Sequence, residues 1–307
     1  MEKDMAETTS GEPAPDGMGF SETGKKINQY RRIFRILFTR KLVVFGLVIL
    51  FITVIAAIFA PLIAPYDPYE PDLDSSLLGP TAQHWLGTDP MGRDTLTRII
   101  YGARTSMIVG IAAVGLAAVV GMSLGMVAGY YGGIPSMVVM RLTDALMAFP
   151  MLLLAMAMAA MMGGGLTNVI IALTVGLVAS YTRLMYGQVM SVNASDFILA
   201  ERAGGASNLR IMLFHILPNC FPPLIVFVTL MTGSTILAEA GLSFIGVGIS
   251  PPTASWGGMV NVGYRFILTQ PILSFAPGVA IMLVVFAFNM VGDGLRDALD
   301  PRLRGTL

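Results

Sequence analysis

Residues 42–64 read L-V-V-F-G-L-V-I-L-F-I-T-V-I-A-A-I-F-A-P-L-I-A, 23 positions without a single charge. At about 1.5 Å of rise per residue, a helix of that length crosses a hydrocarbon core of about 30 Å. The whole chain is biased the same way: 55% of its 307 residues are hydrophobic, 12% are charged, and the mean hydropathy is +0.73. A soluble protein of this size is far more polar, so the chain is read as an all-α integral membrane protein. Helices are favoured over a barrel because a backbone amide in lipid must be bonded within its own segment, and the period-two alternation of a membrane strand is absent.

Upstream of the run, residues 25–41 carry Lys25, Lys26, Arg31, Arg32, Arg35, Arg40 and Lys41 with no acid among them, which assigns this end to the cytoplasm. Residues 1–24 are rich in Thr, Ser, Gly, Pro and acids and are expected to be a disordered cytoplasmic tail. They are not a secretory signal, since the apolar run starts too late. The G-F-S-E-T-G-K-K stretch at residues 19–26 imitates a phosphate-binding loop. It lacks both a preceding strand and the Ser or Thr that would hold magnesium.

Downstream, residues 66–104 carry six acids against three arginines and read as an outer loop. Five further spans are expected at residues 106–129, 137–162, 167–186, 221–245 and 271–291, giving six crossings with both termini cytoplasmic. Gly121, Gly125 and Gly129 form a small-residue stripe for close helix packing. Residues 246–270 are expected outside.

Between the fourth and fifth spans lies a mostly polar island, residues 196–219, D-F-I-L-A-E-R-A-G-G-A-S-N-L-R-I-M-L-F-H-I-L-P-N. Asp196 is a candidate N-cap for a short helix ending at Ala203, and Gly204-Gly205 supplies a left-handed residue after it. Ser207 is a candidate cap for a second helix with Leu209, Met212, Leu213 and Ile216 on one face, stopping at Pro218. The elbow between them is lined by Ala200, Ala203, Gly204, Gly205 and Ala206, small enough for another protein to approach closely. On the residues alone, a docking site and an amphipathic connector on the membrane surface both fit.

No residue constellation reads as catalytic, so the chain is not expected to be an enzyme. One cysteine, Cys220, and two distant histidines, His84 and His215, point to no metal or other cofactor in this chain. Charges inside spans still require an explanation. Arg141 and Asp144 are three apart and are expected to pair. Glu239 has no evident partner on its own helix and must find one across the bundle or face water, leaving open a structural role and a place on a translocation path. Trp85 and Trp256 both fall in segments assigned to the outside, as interfacial anchors or as contacts for an external protein.

The island resembles the cytoplasmic coupling loop, or EAA loop, of permease subunits in ATP-binding-cassette importers: Ala200, Gly205 and the H-I-L-P-N ending match in order. Leu199 stands where that motif has glutamate, and Glu201 where it has a second alanine. Residues 84–106 (H-W-L-G-T-D-P-M-G-R-D-T-L-T-R-I-I-Y-G-A-R-T-S), 242–257 (L-S-F-I-G-V-G-I-S-P-P-T-A-S-W-G) and 292–304 (G-D-G-L-R-D-A-L-D-P-R-L-R) look like signatures of the C-type permease of dipeptide, oligopeptide and nickel importers.

That resemblance implies a type I importer fold, with a permease domain over residues 42–307 and a coupling loop at about 187–220. It implies half of a peptide pore in the cell membrane, working with a second related permease, two cytoplasmic ATPases that hold ATP and magnesium, and an extracytoplasmic binding protein. No nucleic acid partner is implied. It assigns ATPase coupling to Ala200, Glu201, Ala203, Gly204, Gly205, Ala206 and Ser207. Nickel, glutathione and other small solutes are alternative substrates within the family. A stand-alone secondary transporter using Glu239 or Asp144 is the alternative from another class.

Overall fold

The computed structural model describes residues 38–299. The tail, the loop-like stretch at 19–26, most of the basic segment and the arginines at 302 and 304 lie outside the described residues.

Helix α1, Lys41–Ile63, is the uncharged run. It kinks at Phe59, two residues before Pro61, whose missing N–H leaves one backbone bond unmade. A loop follows, organised by Asp89, whose carboxylate accepts from the Met91 and Arg93 amides at 2.8 and 3.1 Å. Asp94 then caps α2, Thr95–Tyr131, by accepting from the Thr97 amide at 2.7 Å.

Helix α2 thus starts well before residue 106. The loop itself accommodates Arg98 within this stretch: its buried guanidinium donates to the Pro68 carbonyl at 2.7 Å. At 37 residues α2 is about 55 Å long, more than the hydrocarbon requires.

The expected third span is two helices, α3, Gly133–Met147, and α4, Met151–Met162, bent by 84° at the break. Pro150 stands at the break with an extended ψ of 127°, and its ring disfavours the helical region for the residue before it. Helix α5, Leu166–Asn193, runs past residue 186 and keeps Arg183 within the helix. Helix α6, Asp196–Ala203, is the first arm of the elbow.

The second arm does not stop at Pro218. It is continuous with the fifth span as α7, Asn208–Ile245. A wide π-type turn over Ile211–Ile216 precedes the proline, with the Leu217 amide bonded to the Met212 carbonyl. Widening the helix there gives the Pro218 ring room that a regular turn would deny it. Helix α8, Trp256–Tyr264, lies within the expected outer segment and is capped by Ser255, and α9, Ile272–Leu299, is the last span. Among the described residues five helices are long and apolar enough to cross a membrane, and the bent α3–α4 pair makes six.

The central contact is α2 against α5, and the glycine stripe makes it. A Cβ on Gly121 would lie 2.7 Å from the Val178 carbonyl oxygen, on Gly125 2.5 Å from that of Thr182, and on Gly129 2.8 Å from the Val189 Cβ. The two backbones therefore approach through three successive turns of α2. Helices α1, α7 and α9 close the bundle around the remaining side of α2. Phe51, Leu62, Leu268 and many other large apolar side chains stay on the outer surface, as a lipid-facing protein requires.

Two faces result. One bears the elbow and an ion pair between Arg40 and Asp297, which joins the residue just before α1 to the last turns of α9. The opposite face bears the 64–94 loop, the 163–165 turn and the 246–271 segment, tied together by bonds such as Gly165 N–H to the Gly248 carbonyl at 2.9 Å.

Candidate functional site: the elbow

The elbow forms as the sequence indicates, with differences at its caps. Ser195, not Asp196, occupies the N-cap position of α6, and neither Ser195 nor Ser207 makes a side-chain cap bond. Gly205, at φ +80°, supplies the left-handed residue, while Gly204 stays at φ −74°. An L side chain in that region costs about 1–2 kcal/mol, so glycine suits the bend. A Cβ on Gly205 would meet nothing within 4 Å. Ala200, Ala203, Gly204, Gly205 and Ser207 are all exposed, with Ala206 half-buried.

The outer side of the elbow is apolar. Phe197, Leu199, Leu209, Leu213 and Phe214 stand exposed, Phe214 at 72%. The face expected to hold Leu209, Met212, Leu213 and Ile216 together is split by the wide turn: Met212 and Ile216 go inside with Ile211, while Leu209 and Leu213 point outward. Ser207, Leu209, Arg210, Leu213, Phe214 and His215 line a shallow groove there.

The inner side is clamped to the bundle. Ile198 is fully buried at 0% exposure, in one apolar cluster with Met126 and Tyr130 of α2, Met185 and Val189 of α5, and Ile211, Met212 and Ile216 of α7. Tyr130 donates to Asn208 Oδ1 at 2.8 Å. The Arg202 guanidinium donates to Asn193 Oδ1 at 2.6 Å and sits 5.3 Å from the Tyr130 ring centroid. Glu201 faces across the elbow, 3.6 Å from His215 Nε2, instead of outward with the alanines. These contacts tie α6 through packed side chains to the ends of α2, α5 and α7. Sequence reasoning missed Ile198, Tyr130, Arg202, Asn208 and His215; Ile198 stands in an apolar triplet with Phe197 and Leu199, and nothing local marks it as the one that is buried.

Three expectations about charged and aromatic residues require correction. Asp144 pairs with Arg183 of α5, not with Arg141, and Arg141 makes no ion pair among the described residues. Trp256 is a core side chain at 2% exposure, its indole N–H donating to the Ile99 carbonyl at 2.9 Å and its ring filling the space over Gly102. It is therefore not an outward-facing contact. We expect Trp256→Ala to lower stability by about 3–5 kcal/mol. A thermal unfolding curve in detergent checks this, with Trp256→Phe retaining most of the packing. Trp85, at 71% exposure, does face outward from the loop.

Glu239, finally, has partners both on its own helix and across the bundle. Ser243 donates to its Oε1 at 2.7 Å and Ser106 to its Oε2 at 3.3 Å, and the Ile249 amide donates to Ser243 at 3.0 Å. The buried carboxylate thus joins α2, α7 and the following loop. Glu239→Leu leaves two buried hydroxyls without an acceptor, at about 1–3 kcal/mol each, whereas Glu239→Gln retains a carbonyl oxygen. The unfolding temperature is expected to fall in the order Leu well below Gln.

The chain is thus a bundle of five long apolar helices and one bent pair, with an exposed two-armed elbow clamped to its ends. Residues 121–305 match the family described as binding-protein-dependent transport system inner membrane component, and residues 28–80 match the N-terminal TM domain of oligopeptide transport permease C. The chain belongs to the first of these families.

It is 42% identical over 292 residues to the dipeptide transport system permease protein DppC of Alkalihalophilus pseudofirmus, covering 95% of this chain and 96% of that one. It is also 42% identical to the di/tripeptide transport system permease protein DppC of Pseudomonas aeruginosa, over 84% of this chain and 88% of that one. The glutathione transport system permease protein GsiD of Escherichia coli matches at 42% as well, over 82% of this chain and 84% of that one. Among solved structures, inward-facing conformations of the MetNI methionine ABC transporter superpose with a TM-score of 0.55 at 19% identity, covering 66% of this chain and 96% of that one. That similarity carries the fold.

Proposed function

We infer that this chain is a permease subunit of an ATP-binding-cassette importer for peptides, forming half of a translocation pore together with a second permease. The observation that carries the reading is the elbow: an exposed, small-residue bend with apolar flanks, clamped through Ile198 and Tyr130 to three helices of the bundle. A lone carrier has no use for such a surface. Two cytoplasmic ATPases, which bind the ATP and magnesium, would each receive an elbow from one permease. Closing the ATPase pair then moves α6, and α6 moves the ends of α2, α5 and α7. The basic stretch before α1 supports a cytoplasmic elbow face and cytoplasmic termini. The opposite face, with Trp85 exposed, is where an extracytoplasmic binding protein would deliver substrate. Peptides are the favoured substrate class because two relatives are named for dipeptide or di- and tripeptide transport, and glutathione, carried by the third, is itself a small peptide.

Against the stand-alone carrier, both of its candidate carboxylates are engaged, Asp144 by Arg183 and Glu239 by two serines. A cysteine placed at Ala203 or Ala206 tests the docking surface, since the native Cys220 is buried and unreactive by location. A bifunctional crosslinker is expected to join either position to a copurifying ATPase subunit, and a cysteine at Val119, on the lipid side of α2, is expected not to crosslink. Equal crosslinking from all three positions would contradict the assignment.

A further inference from the structure

On the face opposite the elbow, a cavity of about 50 Å³ is enclosed between the start of α2, the 246–255 loop and α8. By that measure a single water needs about 10–15 Å³, so the space admits a group of a few heavy atoms and not a whole peptide. Its walls include Asp89, Arg93, Thr95 and Arg98, and its rim includes Pro251 and Thr253, both with solvent-accessible surface.

The charges in this wall do not balance. The single carboxylate, Asp89, is shared by two guanidiniums: Arg93 Nε donates to its Oδ2 at 2.8 Å, and Arg98 Nε stands 3.5 Å from the same oxygen. One positive charge remains in excess within the lining. Asp94 makes no ion pair with either guanidinium; it accepts from the Thr97 amide at 2.7 Å and stands 3.0 Å from His84 Nδ1. The Thr95 hydroxyl, from a residue 1% exposed, has no hydrogen-bond partner. A buried hydroxyl left unpaired is costly, which makes its position against this cavity informative.

We propose that the cavity is a binding site for one carboxylate presented at this face, held by the excess guanidinium charge and by the Thr95 hydroxyl. Guanidinium and hydroxyl donors match a planar anion with two acceptor oxygens. The carboxylate is carried either by the C-terminus of a peptide in transit, which rests on the import reading above, or by an acidic side chain of a protein docked on this face.

Acetate and acetamide at matched ionic strength test the site on the purified full chain with its copurifying subunits. Acetate is expected to raise the unfolding temperature saturably and acetamide not at all. Thr95→Val removes a hydroxyl that makes no bond in the protein, so it is expected to fold normally and to weaken acetate binding about tenfold, as loss of one hydrogen bond to a charged group does. Arg98→Lys, which keeps the charge but not the fork, is expected to weaken it as well. Equal effects of acetate and acetamide, or unchanged acetate binding in Thr95→Val, would overturn the proposal.

Uptake distinguishes the source. A peptide source predicts that preference for a free C-terminus over its amide falls in Thr95→Val. A docked protein predicts an unchanged preference and a higher half-saturating concentration of binding protein. If neither changes, the site has no part in transport and the proposal fails. Saturable acetate binding in a parent complex that imports no peptide would instead sink the import reading alone.

Discussion

Gly205→Arg is expected to insert, fold and assemble with its permease partner like the parent chain, and to lose most ATP-driven uptake. The position is open, with no atom within 4 Å of a Cβ, so the new side chain disturbs nothing in this chain. Its internal cost is the left-handed backbone, φ +80°, at about 1–2 kcal/mol. The damage falls on the partner. If the elbow docks in a groove of an ATPase, as proposed above, a long cation projecting from it acts like overpacking of an interface. At about 1–3 kcal/mol, that is roughly a 5- to 150-fold loss of docking. Gly205→Asn separates the two effects, since asparagine tolerates the left-handed region and adds little bulk, and it is expected to retain most uptake. The measurement pairs an unfolding curve with ATP-driven uptake. Normal transport by Gly205→Arg would show that the elbow does not couple.

The second large effect is on folding. Gly125→Leu places a side chain where its first carbon would already lie 2.5 Å from the Thr182 carbonyl oxygen and 2.8 Å from the Met185 Cβ. Backbone cannot yield as a flexible side chain does, so α2 and α5 must separate, and with them the apolar clusters on both sides. Overpacking of a well-fitted core costs about 1–3 kcal/mol, and a backbone clash belongs at the upper end or beyond. Gly121→Leu is expected to behave alike. Gly115→Ala, on the same helix with nothing within 4 Å, is expected to be neutral or slightly stabilising. Monodispersity and unfolding temperature in detergent check the series, and equal stability of Gly125→Leu and Gly115→Ala would refute the close approach.

The spans were legible because hydrocarbon imposes a length and an apolar composition that no local contact overrides. The stripe of Gly121, Gly125 and Gly129 was legible for a similar reason, since only close packing makes that spacing useful. What was not legible depends on partners distant in sequence. Residues 95–104 look like loop until Arg98 is seen to reach the Pro68 carbonyl. Asp144 looks like a partner for Arg141 until α5 brings Arg183 alongside. Trp256 reads as an outer aromatic until Gly102 provides the space it fills.

The elbow shows both cases in one segment. Its bend was readable from two glycines, whose conformational role is local. Its attachment to the bundle was not, because Phe197, Ile198 and Leu199 are all apolar and only packing against Met185 and Ile216, distant in sequence, selects Ile198 for burial. Pro218 is read as a stop by local rules, yet the helix continues through a widened turn into α7.

The central claim, that this permease is moved by ATPases docked on the elbow, is tested most directly by uptake into proteoliposomes. The full complex, with binding protein added, is expected to accumulate a labelled dipeptide only when ATP is supplied on the elbow side. Omission of the ATPase subunits or Gly205→Arg is expected to abolish that accumulation. Uptake by this chain without ATPases, driven by an ion gradient and lost on neutralising Glu239 or Asp144, would contradict it.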